Sequence, residues 1–248
     1  LSADMKQSAE SVKTFAAGAA GALKGPLDKM MAFEEQMSSV KAATFDLTKA
    51  MTPEQFKEME GAVASLSATA RELGATTKYS ALEAAAGMDI LAKNFSGGDM
   101  EKATAVAAAM PGILQAAAAT KESIADTADV FSASMNQFSL TATDMGRIGD
   151  VYVKTANGSA TGLLDLGEAM KYAGVTASQA GLDLETTLGI MGALGNAGKK
   201  GSVAGTGLAS VLGNLQSAAK KPRSALSALG INIKDKQGNL RPILDIFA

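Results

Sequence analysis

The 248 residues carry a formal charge of −2, with 23 lysines and arginines against 25 aspartates and glutamates, so no basic face matched to nucleic-acid phosphates is expected. The absence of Cys and His excludes a disulfide framework, thiolate metal sites and histidine-dependent nucleophilic catalysis. Only 4% of the residues are aromatic and none is Trp, so the core must be assembled from small side chains and close backbone approach.

Leu1 rather than Met opens the sequence, and PILDIFA closes it in what reads as the beginning of a helix, which together suggest a piece of a longer protein. The opening residues lack the charged, apolar and small-residue order of a signal peptide. From Met5 onward the apolar positions alternate steps of four and three: Met5, Ala9, Val12, Ala16, Ala19 and Leu23, then Met30, Phe33, Met37, Val40, Thr44, Leu47 and Met51. This is the a/d seam of a coiled coil. It nominates Met30, Phe33, Met37, Val40, Leu47 and Met51 as an interface between copies of the chain. The same spacing also serves helices that pack on their own domain, and the first half, mostly Ala, would make a thin seam. Gly25-Pro26 is expected to break the helix between the two halves.

Thr52-Pro53-Glu54-Gln55 joins an N-cap hydroxyl, a proline at the first helical position and a Gln placed to close a capping box. The helix that begins there is expected to end at Gly74. Ser80 with Glu83 repeats the box and opens a helix to about Asn94. Ser96-Gly97-Gly98 turns the chain, Asp99 is placed to cap the next helix, and Glu101 lies near that helix's positive end. Further helices are expected at about 122–137, 144–156, 161–172, 184–194 and 202–218. Turn and cap signals separate them: Thr143-Asp144, Asn157-Gly158-Ser159, Gly174, and Gly181 with Asp183. INIKDKQGNLRPI, from Ile231, contains two short extended runs around Asp235-Lys236-Gln237-Gly238 and reads as a hairpin. The expected fold is all-α: long N-terminal helices with a heptad seam (1–51), a multi-helix bundle (52–230), and a small C-terminal β-hairpin with the start of a further helix (231–248).

Two stretches, 103–120 and 201–219, are uncharged and approach the length of a membrane span. Their Ala, Gly, Ser, Thr and Gln content, and Pro111-Gly112 interrupting the first, fit buried helices of a bundle better. DMEKATAVAAAMPG from Asp99 and DLETTLGIMGALGN from Asp183 echo one another, each with an acidic start and a small-residue apolar helix.

Gly189, Gly192, Gly195, Gly198 and Gly201 recur every third residue, running into GALGNAGKKGSVAGTG from Gly192. The phosphate-binding G-x-x-x-x-G-K-[ST] fails there, because Lys200 follows Lys199 and Ala193 stands in place of the first Gly. A dinucleotide G-x-G-x-x-G fails at Ser210. Gly158-x-x-x-Gly162 and Gly201-x-x-x-Gly205 instead have the spacing that lets helix backbones approach closely, and Gly198 with its lysines reads as a solvated turn. Gly158, Gly162, Gly198, Gly201 and Gly205 are therefore nominated for close packing or turns. No catalytic, cofactor or metal site is nominated.

YSALEAAAGMDILAKNFSG, IADTADVFSASMNQF, the block NGSATGLLDLGEAMKYAGVTASQAGLDLETTLGIMGALGNAGKKGSVAGTGLASVLGNL, and LGINIKDKQGNLRPILDI together resemble the core region of phage tail tape measure proteins, over roughly residues 30–248. Lys199-Lys200 departs from the related pattern, which more often has Gly-Ile or Gly-Met before the Gly-Ser. The resemblance implies a long, mostly helical protein lying in several copies along the lumen of the tail tube of a virion or tail-like particle. Tube subunits would polymerise around it until its length is covered, and it would leave during genome ejection. The partners so implied are other copies of itself, tube and tail-tip or baseplate proteins, and tail assembly chaperones in the host cytoplasm, with no sequence-specific nucleic acid binding. An alternative is a membrane-inserting module that helps form a channel for DNA in the host membrane. Catalysis is not expected: Asp99 with Glu101 and Asp183 with Glu185 could supply paired carboxylates for glycoside cleavage, but each stands at a helix start, where capping accounts for it.

Overall fold

The computed structural model describes residues 3–220 and residue 241. Its helices are α1 (Ala3–Thr44), α2 (Pro53–Thr76), α3 (Ala81–Asn94), α4 (Asp99–Thr120), α5 (Ile124–Gln137), α6 (Met145–Gly158), α7 (Leu163–Gln179), α8 (Leu184–Asn196) and α9 (Gly201–Lys220), with a single 3-10 turn, Ala142–Asp144, leading into α6.

Local chemistry sets most of the starts. The Thr52 hydroxyl accepts from the Gln55 amide at 3.3 Å while the Gln55 side chain accepts from the Thr52 amide at 2.9 Å. Ser80 and Glu83 close the same reciprocal box, at 3.2 and 2.7 Å. Asp183 caps α8 by accepting from the Thr186 amide at 2.8 Å. At α4 the cap is Gly98 rather than Asp99; Asp99 is the first helical residue, and its carboxylate accepts instead from the backbone amide of Asp46, at 3.2 Å. The ends are equally local. At Gly198, φ is +79°, the Lys199 amide bonds the Leu194 carbonyl and the Gly198 amide bonds that of Gly195, which is a Schellman termination. Gly181 ends α7 in the same way.

Packing follows a regular rule. Most helices lie mainly against the one two positions along the chain, α2, which packs chiefly on α3, being the exception, so α1, α3, α5, α7 and α9 form one layer and α2, α4, α6 and α8 form the other. Consecutive helices join the layers. This is a two-layer helical stack in the manner of an α-solenoid, and the odd helices from α3 onward open at Ala81, Ile124, Leu163 and Gly201, a period of about 40 residues. The echoing segments from Asp99 and Asp183 are α4 and α8, both in the even layer.

Small residues set the distance between neighbours within a layer. On α4, a side chain at Gly112 would meet the backbone of Met145 and Gly146 of α6; on α9, one at Gly205 would run into the Ala169 carbonyl of α7. Larger side chains then fill the space between layers: Leu66, Met88, Leu91, Met110, Ile113, Phe131, Ile148, Tyr152 and Leu166 are all buried. Tyr152 stacks against Phe131 with ring centroids 5.2 Å apart, and its hydroxyl lies 2.7 Å from that of Ser134. Tyr79 ties two turns together by donating to the Glu122 carbonyl at 3.0 Å.

Several expectations need correction. Neither proline breaks its helix: Pro26 lies inside α1 and Pro111 inside α4. Both sit on solvent-facing positions, where water can take up the carbonyl freed four residues earlier and the ring meets no packed neighbour. Gly74 lies within the last turns of α2, against the backbone of Ala81, and Gly174 is interior to α7, against Gln137. The helix of the heptad seam ends at Thr44; Asp46 then folds a turn, its carboxylate accepting from the amide and hydroxyl of Thr48. The described residues are all-α, and the C-terminal β-hairpin is not supported. Among the described residues there is no strand. The extended runs from Ile231, apart from Arg241, lie outside the described residues.

Candidate functional site

Two surfaces of α1 differ sharply. Towards its C-terminal end Phe33, Met37, Val40 and Thr44 are buried in the protein's own core, facing α3. Arg71 of α2 clamps this segment by lying 5.0 Å over the Phe33 ring and pairing with Glu34 at 2.9 Å. Beneath it, Ser39 donates to the buried carboxylate of Asp89 at 2.8 Å, and Lys93 holds the other oxygen at 2.6 Å. Preceding this packed segment, every residue from Lys24 to Met31 is exposed. Leu27, Met30 and Met31 are 51, 57 and 67% exposed at i, i+3, i+4 spacing, which gathers them on one side of the helix. Together they form an exposed apolar stripe on the helix.

Of the nominated seam residues, then, Phe33, Met37 and Val40 contribute to the chain's own core and Met30 is free. Leu47 is exposed in the turn after α1, and Met51 is half-buried against the core. Leu27 and Met31 were not nominated. The i, i+3, i+4 spacing could have found them, but the expected break at Gly25-Pro26 hid it. The nominated glycines divide as well. Gly205 packs closely, Gly198 forms the turn, and Gly201 opens α9 with φ +54° and the side chains of Glu168 and Asp165 near it. Gly158 ends α6 and Gly162 caps α7; neither has a close neighbour, so that pair serves a turn.

The acidic residues considered for catalysis each have a local partner. Glu185 makes a bidentate pair with Arg147 of α6 at 2.7 and 2.9 Å, and Glu101 accepts from the Gly98 amide at 3.4 Å. The Thr186 hydroxyl and amide hold the Asp183 carboxyl below the usual carboxylate range. No group of three His, Cys, Asp or Glu residues suited to a metal occurs among the described residues. α4 is the one described helix long and apolar enough to cross a membrane; its Val106, Met110, Ile113 and Leu114 are buried in the core.

Residues 67–248 match the family model described as phage-related minor tail protein. The chain belongs to this family. It is 37% identical over 185 residues, 75% of its length, to the probable tape measure protein of Escherichia phage P2. It is 33% identical over 216 residues, 87% of its length, to the tape measure protein of Pneumococcus phage Dp-1. The match to tape measure proteins read from the sequence motifs is thereby shown. The chain spans about a fifth of the length of these relatives, 22% and 17%. No solved structure matches it.

Proposed function

We propose that this chain is a segment of a phage tail tape measure protein, a non-enzymatic scaffold in the lumen of the tail tube that sets tube length during assembly and leaves at genome ejection. The observation that carries this reading is the match, over most of the chain, to two tape measure proteins. α1 supplies a ruler-like part: 42 residues of helix extend about 63 Å. Its stripe of Leu27, Met30 and Met31 supplies self-association between copies. Tube subunits, tail-tip or baseplate proteins and assembly chaperones are the other partners this role requires. A membrane-inserting role finds no support in α4, whose apolar face is already used by the core.

The test is tail length by electron microscopy after an in-frame deletion of residues 7–27, three whole heptads that spare the packed end of α1. Tails shorter by about 32 Å are expected from the helical rise. Tails of unchanged length would overturn the ruler role of α1.

A further inference from the structure

Two hollows of about 480 and 630 Å³ adjoin over the first turn of α4, with Met100 and Glu101 in the walls of both. The first reaches from the turn after α1 to α2 and is lined by Phe45, Met51 and Met59; the second reaches to the end of α5 and is lined by Ala105, Met135 and Leu140. Together they make one largely apolar trough beside the α1–α2, α3–α4 and α5–α6 connections, with Met100 45% exposed where they meet. Its methionines give a soft wall that adapts to what it packs against. Its charge is acidic: Glu58, Asp99 and Glu101 line it against one cation, Lys49, which already pairs with Asp46 at 3.2 Å.

We propose that this trough seats the α1 stripe of a second copy of the chain, Leu27, Met30 and Met31. A chain cannot fill its own trough with its own stripe. α1 is continuous from Ala3 to Thr44, so Met31 stands about 20 Å of helix before the turn at which the trough begins. Another copy is under no such constraint. Lys24 is exposed one turn before Leu27, and Leu27 and Met31 follow it at i+3 and i+7, which puts a cation on the face of the stripe, with Asp28 at its margin. A short apolar stripe led by a cation complements an apolar trough rimmed by carboxylates. Docking would take from water two apolar surfaces that the chain's own fold leaves bare. Stripe and trough are different patches, so the contact is heterologous and a copy can bind one neighbour through each. This inference rests on the self-association proposed for α1 and adds the surface that receives the stripe.

The absence of Cys lets the contact be mapped directly. The intact chain bearing Met30→Cys is mixed with the intact chain bearing Met100→Cys, treated with a short bismaleimide, and analysed by denaturing electrophoresis and mass spectrometry of the linked peptides. A link between position 30 of one copy and position 100 of the other is expected, with no link when Val175→Cys, exposed on α7 outside the trough, takes the place of Met100→Cys. Links joining position 30 to position 30 would show the stripes pairing with each other, which overturns the proposal and leaves self-association standing. An unaltered chain that sediments as an oligomer while the mixture gives no link would do the same. An unaltered chain that sediments as a monomer at every concentration would overturn both. Met30 and Met100 are 57 and 45% exposed, so both variants should fold. Should Met100→Cys lose helical content by circular dichroism, Thr104→Cys, exposed one turn further along the trough, replaces it with the same outcomes.

Discussion

Two glycines in neighbouring helices should respond oppositely to the same substitution. Gly189 is interior to α8 with open space where a side chain would point, and Gly205 is interior to α9 with the Ala169 carbonyl of α7 in that space. Adding a methyl group within a helix gains about 0.8–1 kcal/mol of propensity at either site. At Gly205 the added atom overlaps backbone, which cannot rotate away, so α9 must lift from α7 at a cost of about 1–3 kcal/mol. Gly189→Ala should therefore raise the urea midpoint by the equivalent of nearly 1 kcal/mol. Gly205→Ala should lower it by the equivalent of about 1 kcal/mol, and amide-exchange protection should fall first in α7 and α9. A stabilised Gly205→Ala would mean that α7 and α9 are not in backbone contact and that the stack is looser than described.

Tyr152→Phe should cost about 1 kcal/mol in the same denaturation assay, because the ring contact with Phe131 survives while Ser134 loses a buried partner; Ser134 still donates to the Val130 carbonyl at 3.0 Å. Acid should weaken the fold through its caps. Glu83 is held below its ordinary value by the amide and then the hydroxyl of Ser80, Asp144 likewise by Thr141, and Asp183 by the hydroxyl and amide of Thr186. A depressed folded pKa stabilises in full above the unfolded value, near 4 for these groups, and is lost as pH falls through the folded value. Melting followed from neutral pH downward should show a drop that begins at about pH 4, and a smaller drop in the Glu83→Gln variant.

The starts of the helices were legible because capping is local: Thr52 to Gln55, Ser80 to Glu83 and Asp183 to Thr186 need only a few consecutive residues. What a residue faces was not. The spacing of Met30, Phe33, Met37 and Val40 is the same whether the partner is another copy or α3, and only the tertiary stack assigns Phe33, Met37 and Val40 to the core while leaving Met30 bare. Pro26 and Pro111 were misread for a related reason. A proline's damage depends on whether the freed carbonyl can reach water, and that is a property of the folded surface. The layering was hidden too, because Gly112 and Gly205 reveal their purpose only beside the helices they approach.

Under the proposed ruler role, the two parts of this chain would measure length at different rates. A single helix such as α1 advances about 1.5 Å per residue. In the stack, a helix pair of about 40 residues advances one interhelical distance of about 8–10 Å, near 0.25 Å per residue. Removing α5 and α6 together, residues 124–162, preserves the alternation of layers, so the remaining units can still stack. If the bundle stays folded inside the tube, tails should shorten by about 10 Å at most. If it is drawn out into continuous helix during assembly, the same deletion should remove about 58 Å. Tail lengths after this deletion and after the α1 deletion would then differ in loss per residue by about sixfold in the folded case and not at all in the extended one, which makes the tail itself a gauge of whether this fold persists in the tube.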